Sequence, residues 1–252
     1  MARRAETEFG LKRRRPALTS TETASPPELA RRIEITRATL RRAVPPADLR
    51  LDRLAFEPDG VLVVEGEART VAAKKKTLRL AAIASNAPGL IDRLHVRPAL
   101  PMSDDEIRDR VLELLRLDPR FSDLAVVPGA PDAGLGVAVQ DGVVTLDGAV
   151  PSLVRKRLAG AIAWRVAGVR DVVDGLAVEP PEEDGPDELE EAVRAALDGH
   201  PLFDDTQVKV GVFGDAVRLT GKVRSKDARD AAEEEAWRIL GVDDVINEIE
   251  AP

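Results

Sequence analysis

The chain has 252 residues, 44% of them apolar and 33% charged, with no cysteine, no tyrosine and only 3% aromatics. The absence of cysteine excludes disulfides and thiolate metal sites. No apolar run is long enough to span a bilayer, and five Phe with two Trp give little from which to build a stacking platform for single-stranded nucleic acid. The net charge of −8 hides a division: residues 1–100 hold 20 Lys+Arg against 12 Asp+Glu, and residues 101–252 hold 17 against 33. Either the basic part meets the acidic part of the same or another copy, or it meets an external anionic surface.

The first segment, MARRAETEFGLKRRRPALTSTETASPPE, carries positive charge but no apolar run behind it, so it lacks the pattern of a secretory signal. Its Arg, Ser, Thr and Pro content reads as a disordered basic tail over residues 1–27. ARRIEITRATLRRAV follows as a helix in which Ile33, Leu40 and Val44 alternate with Arg31, Arg32, Arg37, Arg41 and Arg42. Such a helix is either packed on a core or laid on a membrane surface. PDGVLVVEGEA at 58–68 turns at Asp59-Gly60 and runs into a helical segment carrying Lys74, Lys75 and Lys76.

After the Pro-stiffened linker RPALPMSDD, the segment SDDEIRDRVLELLRLDP opens with a capping box of Ser103 and Glu106 and places Ile107, Val111, Leu114 and Leu115 on one helical face. QDGVVTLDGAV at 140–150 is a hairpin return. SLVRKRLAGAIAWRVAGV is a second helix stopped by Gly168, and VRDVVDGLAV is a third strand. Beyond the acidic linker VEPPEEDGPD the order recurs. A helix with Pro186, Leu189, Val193, Ala196 and Leu197, and with Gly199 near its stop, precedes a hairpin with Val208, Val210, Val212, Val217 and Leu219. A helix stopped by Gly241 and the strand VDDVINEIEA complete it.

These segments form a repeat. An ungapped offset of 73 sets Gly148 on Gly221, Trp164 on Trp237, Gly168 on Gly241 and Leu176 on Ile249; an offset of 82 sets Gly60 on Gly142, Gly66 on Gly148, Lys74 on Lys156 and Leu94 on Leu176. The first copy is the divergent one, with Ala82 where the others have Trp and Asn86 where they have Gly. The expected fold class is α+β: three tandem αββαβ modules, each two helices packed on a three-stranded sheet, at 28–97, 103–179 and 186–250. Each module makes a core of its own. Units this small leave little margin over chain entropy, so docking between them is expected.

The pattern Gly-Val-Val-x-Leu-x-Gly-x-Val, a helix, then Gly-Val-x-x-Val-x-(Asn/Asp)-x-(Leu/Ile) resembles the BON domain, the bacterial module named for osmotically inducible and nodulation proteins. Val143 to Val150 with Gly168 to Leu176 carries it, as does Val217 to Val223 with Gly241 to Ile249; Gly60, Gly66 and the Asp92-x-Leu94 ending carry it more loosely. The resemblance implies a non-enzymatic binding module tied to stress tolerance and envelope integrity, attaching to phospholipid surfaces or other envelope ligands. Without an export signal, the expected place is the cytoplasm, or the inner face of the membrane as a peripheral protein.

The residues show no competing chemistry. His95 and His200 have no second ligand at metal-binding spacing and read as surface or loop histidines, and no serine sits in a nucleophile-elbow context. The glycines of QDGVVTLDG flank a strand instead of joining strand to helix, so Gly60, Gly66, Gly142, Gly148, Gly168, Gly221 and Gly241 are expected to serve turns and helix stops, and no cofactor or metal is expected. One basic feature recurs: Lys74, Lys75 and Lys76 overlie Arg155, Lys156 and Arg157 near the start of the second helix, while the third copy keeps only Arg224 and Lys226 just before it. Cations there oppose the helix dipole unless an anion sits nearby. With Arg31, Arg32, Arg41 and Arg42 these residues are the candidate anion-binding or lipid-binding set. The expected partner is an anionic phospholipid surface or an acidic protein surface, including that of a second copy in a self-assembling scaffold; nucleic acid is not expected.

Overall fold

A computed structural model describes residues 25–131, 133–198, 200, 202–203 and 208–252. The stretch read as a basic tail lies outside them up to residue 24, as does Gly199. The first module is built from α1 (Pro26–Ala43), β1 (Leu49–Phe56), β2 (Leu62–Ala68), α2 (Val71–Ser85) and β3 (Leu90–Val96). The second has α3 (Asp104–Leu117), β4 (Val126–Pro128), β5 (Leu135–Gln140), β6 (Val143–Val150), α4 (Leu153–Trp164), β7 (Asp171–Asp174) and β8 (Ala177–Val178). The third has α5 (Pro186–Asp198), β9 (Val208–Phe213), β10 (Ala216–Lys222), α6 (Lys226–Arg238) and β11 (Asp244–Glu250).

The αββαβ order therefore recurs three times. In every sheet the returning hairpin strand is central, antiparallel to its hairpin partner and parallel to the strand that follows the second helix. Two departures occur in the second module. The insertion around PGAPDAGLG adds the short strand β4 beside β5, and the third strand is broken into β7 and β8, both on β6.

Local chemistry explains the element ends. Thr70, Ser152 and Ser225 cap the three second helices, each side chain accepting from the amide three residues on, and Ser103 with Glu106 forms the reciprocal box at α3. Along each third strand the same hydrogen bond recurs. The side-chain oxygens of Asp92, Asp174 and Asn247 accept from the amides of Leu94, Leu176 and Ile249 at 2.8, 3.1 and 3.1 Å.

The glycines divide by role. Gly60 (φ 85°) and Gly142 (φ 75°) take the positive φ that their hairpin turns need, the latter beside Asp141 at φ 53°. Gly66, Gly148 and Gly221 lie in strands at φ 153°, 107° and 126°; a Cβ at Gly66 would lie 2.1 Å from Arg50 O, and one at Gly148 would lie 2.1 Å from Gly134 O. Gly241 takes a positive φ, 92°, but stands two residues beyond Ile239, the extended cap residue of α6, so it shapes the turn after the helix and does not cap it. Gly168 takes no positive φ, which corrects its reading as a conformational stop: its missing side chain instead makes room for Met102 and Ile107, 2.7 and 2.9 Å from where a Cβ would stand.

The expectation of three separate cores is also corrected. The first module has its own apolar interior, with Leu40, Leu54, Leu62, Val64 and Ala81 in one cluster and Val44, Ala68, Ala73 and Leu94 in a second. The second and third modules share one. Leu158, Ile162 and Val166 of the second are continuous with Leu189, Val193, Ala196, Ala232 and Trp237 of the third. Alanines along α4, α5 and α6 let these helices approach closely enough to merge the two interiors.

Candidate anion-binding surface

The candidate cations separate into an inward and an outward group. Lys74 is 5% exposed, and its ammonium lies 3.0 Å from Asp92 of its own module and 2.6 Å from Asp171 of the next. Lys75 donates to the carbonyls of Ile239 (2.7 Å) and Val242 (3.3 Å) just past the end of α6. Although part of the residue stays in water, burial pushes its ammonium down to about 8. In the second module Arg155 pairs with Asp123 at 2.6 Å, and Lys156 donates to Leu176 O at 2.6 Å. Arg157, 4% exposed, donates to Leu240 O at 3.0 Å and to Asp184 at 2.5 Å.

Lys75 and Arg157 occupy equivalent positions in two copies, and both grip the carbonyl end of α6. Cations are favoured at a helix C-terminus, where unsatisfied carbonyls concentrate negative potential. The third copy has Asp230 at this position, so the pattern ends with it.

Anions for the two basic helices also come from within. The Glu182 carboxylate accepts from the Leu153 amide at 2.8 Å, at the first residue of α4, and Glu234 of α6 lies against the amide of Val71, the equivalent first residue of α2. A basic triplet near a helix start, unfavourable in isolation, is thus offset by carboxylates from the linker and the third module.

Further pairs join the modules. Arg79 reaches Asp244 at 2.8 Å and Asp243 O at 3.1 Å, Arg120 donates to Ala195 O at 2.6 Å, and Arg165 meets the buried Glu235 at 2.9 Å. These residues, with Asp171, Arg229 and Glu235, escaped the sequence reading. The offset of 73 sets Lys156 on Arg229, but Asn247, the counterpart of Asp92 and Asp174, meets Arg229 only at its backbone carbonyl, at 3.1 Å.

Burial alone would push the Asp171 carboxyl up, but the His95 ring, the Lys74 ammonium and the Val172 amide outweigh it and hold it below the usual carboxylate range. The His95 Nδ1 is 3.6 Å away, beyond hydrogen-bond reach. His95 lies in strand β3 and is half-buried, which corrects its reading as a surface or loop residue. Asp174 goes the other way, pushed up to about 6 by burial, with only Lys156 at 3.9 Å and the Leu176 amide against it.

The outward group is what remains. Arg31, Arg41 and Arg42 are exposed on α1, where the exposed positions 31, 34, 35, 38, 41 and 42 form one stripe that includes Ile35 at 48% exposure. On α2 the exposed positions 76, 79, 82, 83 and 86 do the same, with Lys76 and with Ile83 at 67% exposure. Arg32 is half-buried and pairs with Glu28 at 2.6 Å. Among the described residues, Arg31, Arg41, Arg42 and Lys76 have no carboxylate within ion-pair distance. Also among these residues, no group of three or more His, Asp or Glu is placed to hold a metal ion, and no helix is long and apolar enough to cross a membrane.

A model of the BON domain matches residues 103–180 and 186–251, more than half of the chain and the two segments that carry the full motif. The chain belongs to the BON-domain family. BON domains are binding modules, and no enzymatic family is indicated. No curated protein matches the chain. Two solved structures of CdsD, a structural protein of the type III secretion system of Chlamydia trachomatis, are similar at 16% identity. One, of the C-terminal domain, covers 86% of this chain and 95% of its own with a TM-score of 0.23; the other covers 87% and 91% with a TM-score of 0.24.

Proposed function

We propose that this BON-domain protein is a non-enzymatic binding protein whose first module, at 28–97, is a divergent BON module that attaches to an anionic phospholipid surface, in bacterial stress or envelope maintenance. The observation that carries this reading is the helix layer of that module. There Arg31, Arg41, Arg42 and Lys76 lie among the exposed Ile35 and Ile83, while the neighbouring cations Lys74, Lys75 and Arg157 are occupied inside the molecule. Exposed cations interleaved with isolated apolar side chains suit a charged interface, where Coulomb attraction brings the surface close and a few methyl groups enter it. Each basic residue near such a surface contributes on the order of 1 kcal/mol, so four of them support reversible, salt-sensitive attachment.

Flotation with phosphatidylglycerol vesicles tests this. The protein should rise with the vesicles at low salt and stay behind at high salt or with phosphatidylcholine alone. Protein that remains at the bottom with phosphatidylglycerol at low salt rejects the reading. The self-assembly alternative, in which the basic first module docks onto acidic modules of another chain, finds less support, because Lys74, Lys75 and Arg79 of that module are already taken up by Asp171, the carbonyls past α6 and Asp244 of the same chain.

A further inference from the structure

The three modules are not held together in the same way. Between the second and third, one apolar interior runs through α4, α5 and α6, so separating them would expose Leu158, Ile162, Leu189, Val193 and Trp237 together. The first module keeps its interior to itself. Its contribution to the shared core is the partly buried Ala72 of α2. What joins it to the rest is polar: Lys74 to Asp171, Lys75 to the Ile239 and Val242 carbonyls, Arg79 to Asp243 O and Asp244, and backbone amides of Val96 and Ala99 to Arg170 O and Ala167 O, each at 2.8 Å.

We infer that the first module is a lid on a rigid body formed by the second and third, closed by a cationic clasp of Lys74, Lys75 and Arg79 and able to lift without either part unfolding. Opening exposes little apolar surface, so its main cost is the loss of hydrogen bonds to charged donors, which water and salt replace in part. Separating the second module from the third carries a hydrophobic penalty that water does not replace. The hinge is the 97–103 connection, whose amides at Ala99 and Leu100 rest on the single carbonyl of Ala167. The inference goes beyond surface binding and does not depend on it.

The chain has no cysteine, so paired labels can be introduced cleanly. Spin labels on Glu34→Cys in the first module and Lys209→Cys in the third, both exposed, report the distance between them. At low salt one narrow distance population is expected. The variant Lys75→Ala/Arg79→Ala should raise the longer-distance fraction at least tenfold while hydrogen exchange at the buried amides of Val64 and Leu146 stays slow. Arg218→Ala, which breaks an exposed pair on the outer face of the third sheet, should change nothing. Should the double variant unfold the first module, Arg79→Ala alone in about 1 M salt, where the Debye length is about 3 Å, provides the same reading with its fold intact. A single unchanged short distance in these variants overturns the inference. So does opening that occurs only together with loss of protection at Val64.

Discussion

At Gly66 and Gly148 the backbone adopts a positive φ, and a Cβ would lie about as far from a neighbouring carbonyl oxygen as the two ends of a short covalent angle. Gly148→Ala should therefore cost about 2–3 kcal/mol from backbone strain and local displacement, seen as a lower Tm, whereas Gly160→Ala, with open space around its Cβ, should not lower it. The helix stop of the first module makes a related point. Asn86 stands where Gly168 and Gly241 stand, yet it takes φ 49°, the left-handed conformation that asparagine tolerates and that Gly241 shares. The substitution keeps the positive φ of Gly241 though not the backbone of Gly168, which a letter-by-letter comparison does not reveal.

Asp174 gives a pH-dependent prediction. Its folded pKa of about 6 lies above its ordinary 3.8, so the native state holds the proton more tightly than the unfolded chain, and the stability from this group falls as pH rises from about 4 to 6. Asn247 holds the same place in the third module without a charge. Asp174→Asn keeps the acceptor for the Leu176 amide and removes the buried charge. It should raise stability by about 1–2 kcal/mol at pH 7.5 and have no effect near pH 4, measured by urea unfolding at the two pH values.

Among the elements, the helices, hairpins and their order were legible because local rules decide them: the capping box at Ser103, apolar periods of two or nearly four residues, and Asp-Gly at the turns. The strand β4, the break between β7 and β8 and the merged interior were not legible. They depend on pairings and packing between segments distant in the chain, which periodicity does not report. The cationic triplets were visible by their recurrence, but their inward direction was not. The acceptors for Lys75 are backbone carbonyls 164 and 167 residues away, and a carbonyl has no letter in the sequence. The contact between the first two modules yields a prediction at this scale. Lys74→Met leaves Asp171 and Asp92 without their shared cation and should destabilise the protein by about 2–3 kcal/mol at pH 7. Because Asp171 is held below the usual carboxylate range, its contribution is present above that range and lost as pH falls through its folded pKa. The difference between wild type and variant should therefore shrink in acid, the opposite sense to Asp174.

For the molecule as a whole, the division between a basic first part and an acidic remainder is resolved in part internally: Lys74, Lys75 and Arg79 of the first module lie on Asp171, the end of α6 and Asp244. The cations left on the outward helix layer are then a separate set with a separate role. The measurement that tests this division most directly pairs flotation on phosphatidylglycerol vesicles with thermal melting for two variants, one changing Arg31, Arg41, Arg42 and Lys76 to Ala, the other changing Lys74, Lys75 and Arg157 to Ala. The outward variant should lose vesicle binding at least tenfold with its Tm unchanged, and the inward variant should melt several degrees lower while its folded fraction still floats. Loss of binding in the inward variant with the outward one still bound would contradict the account.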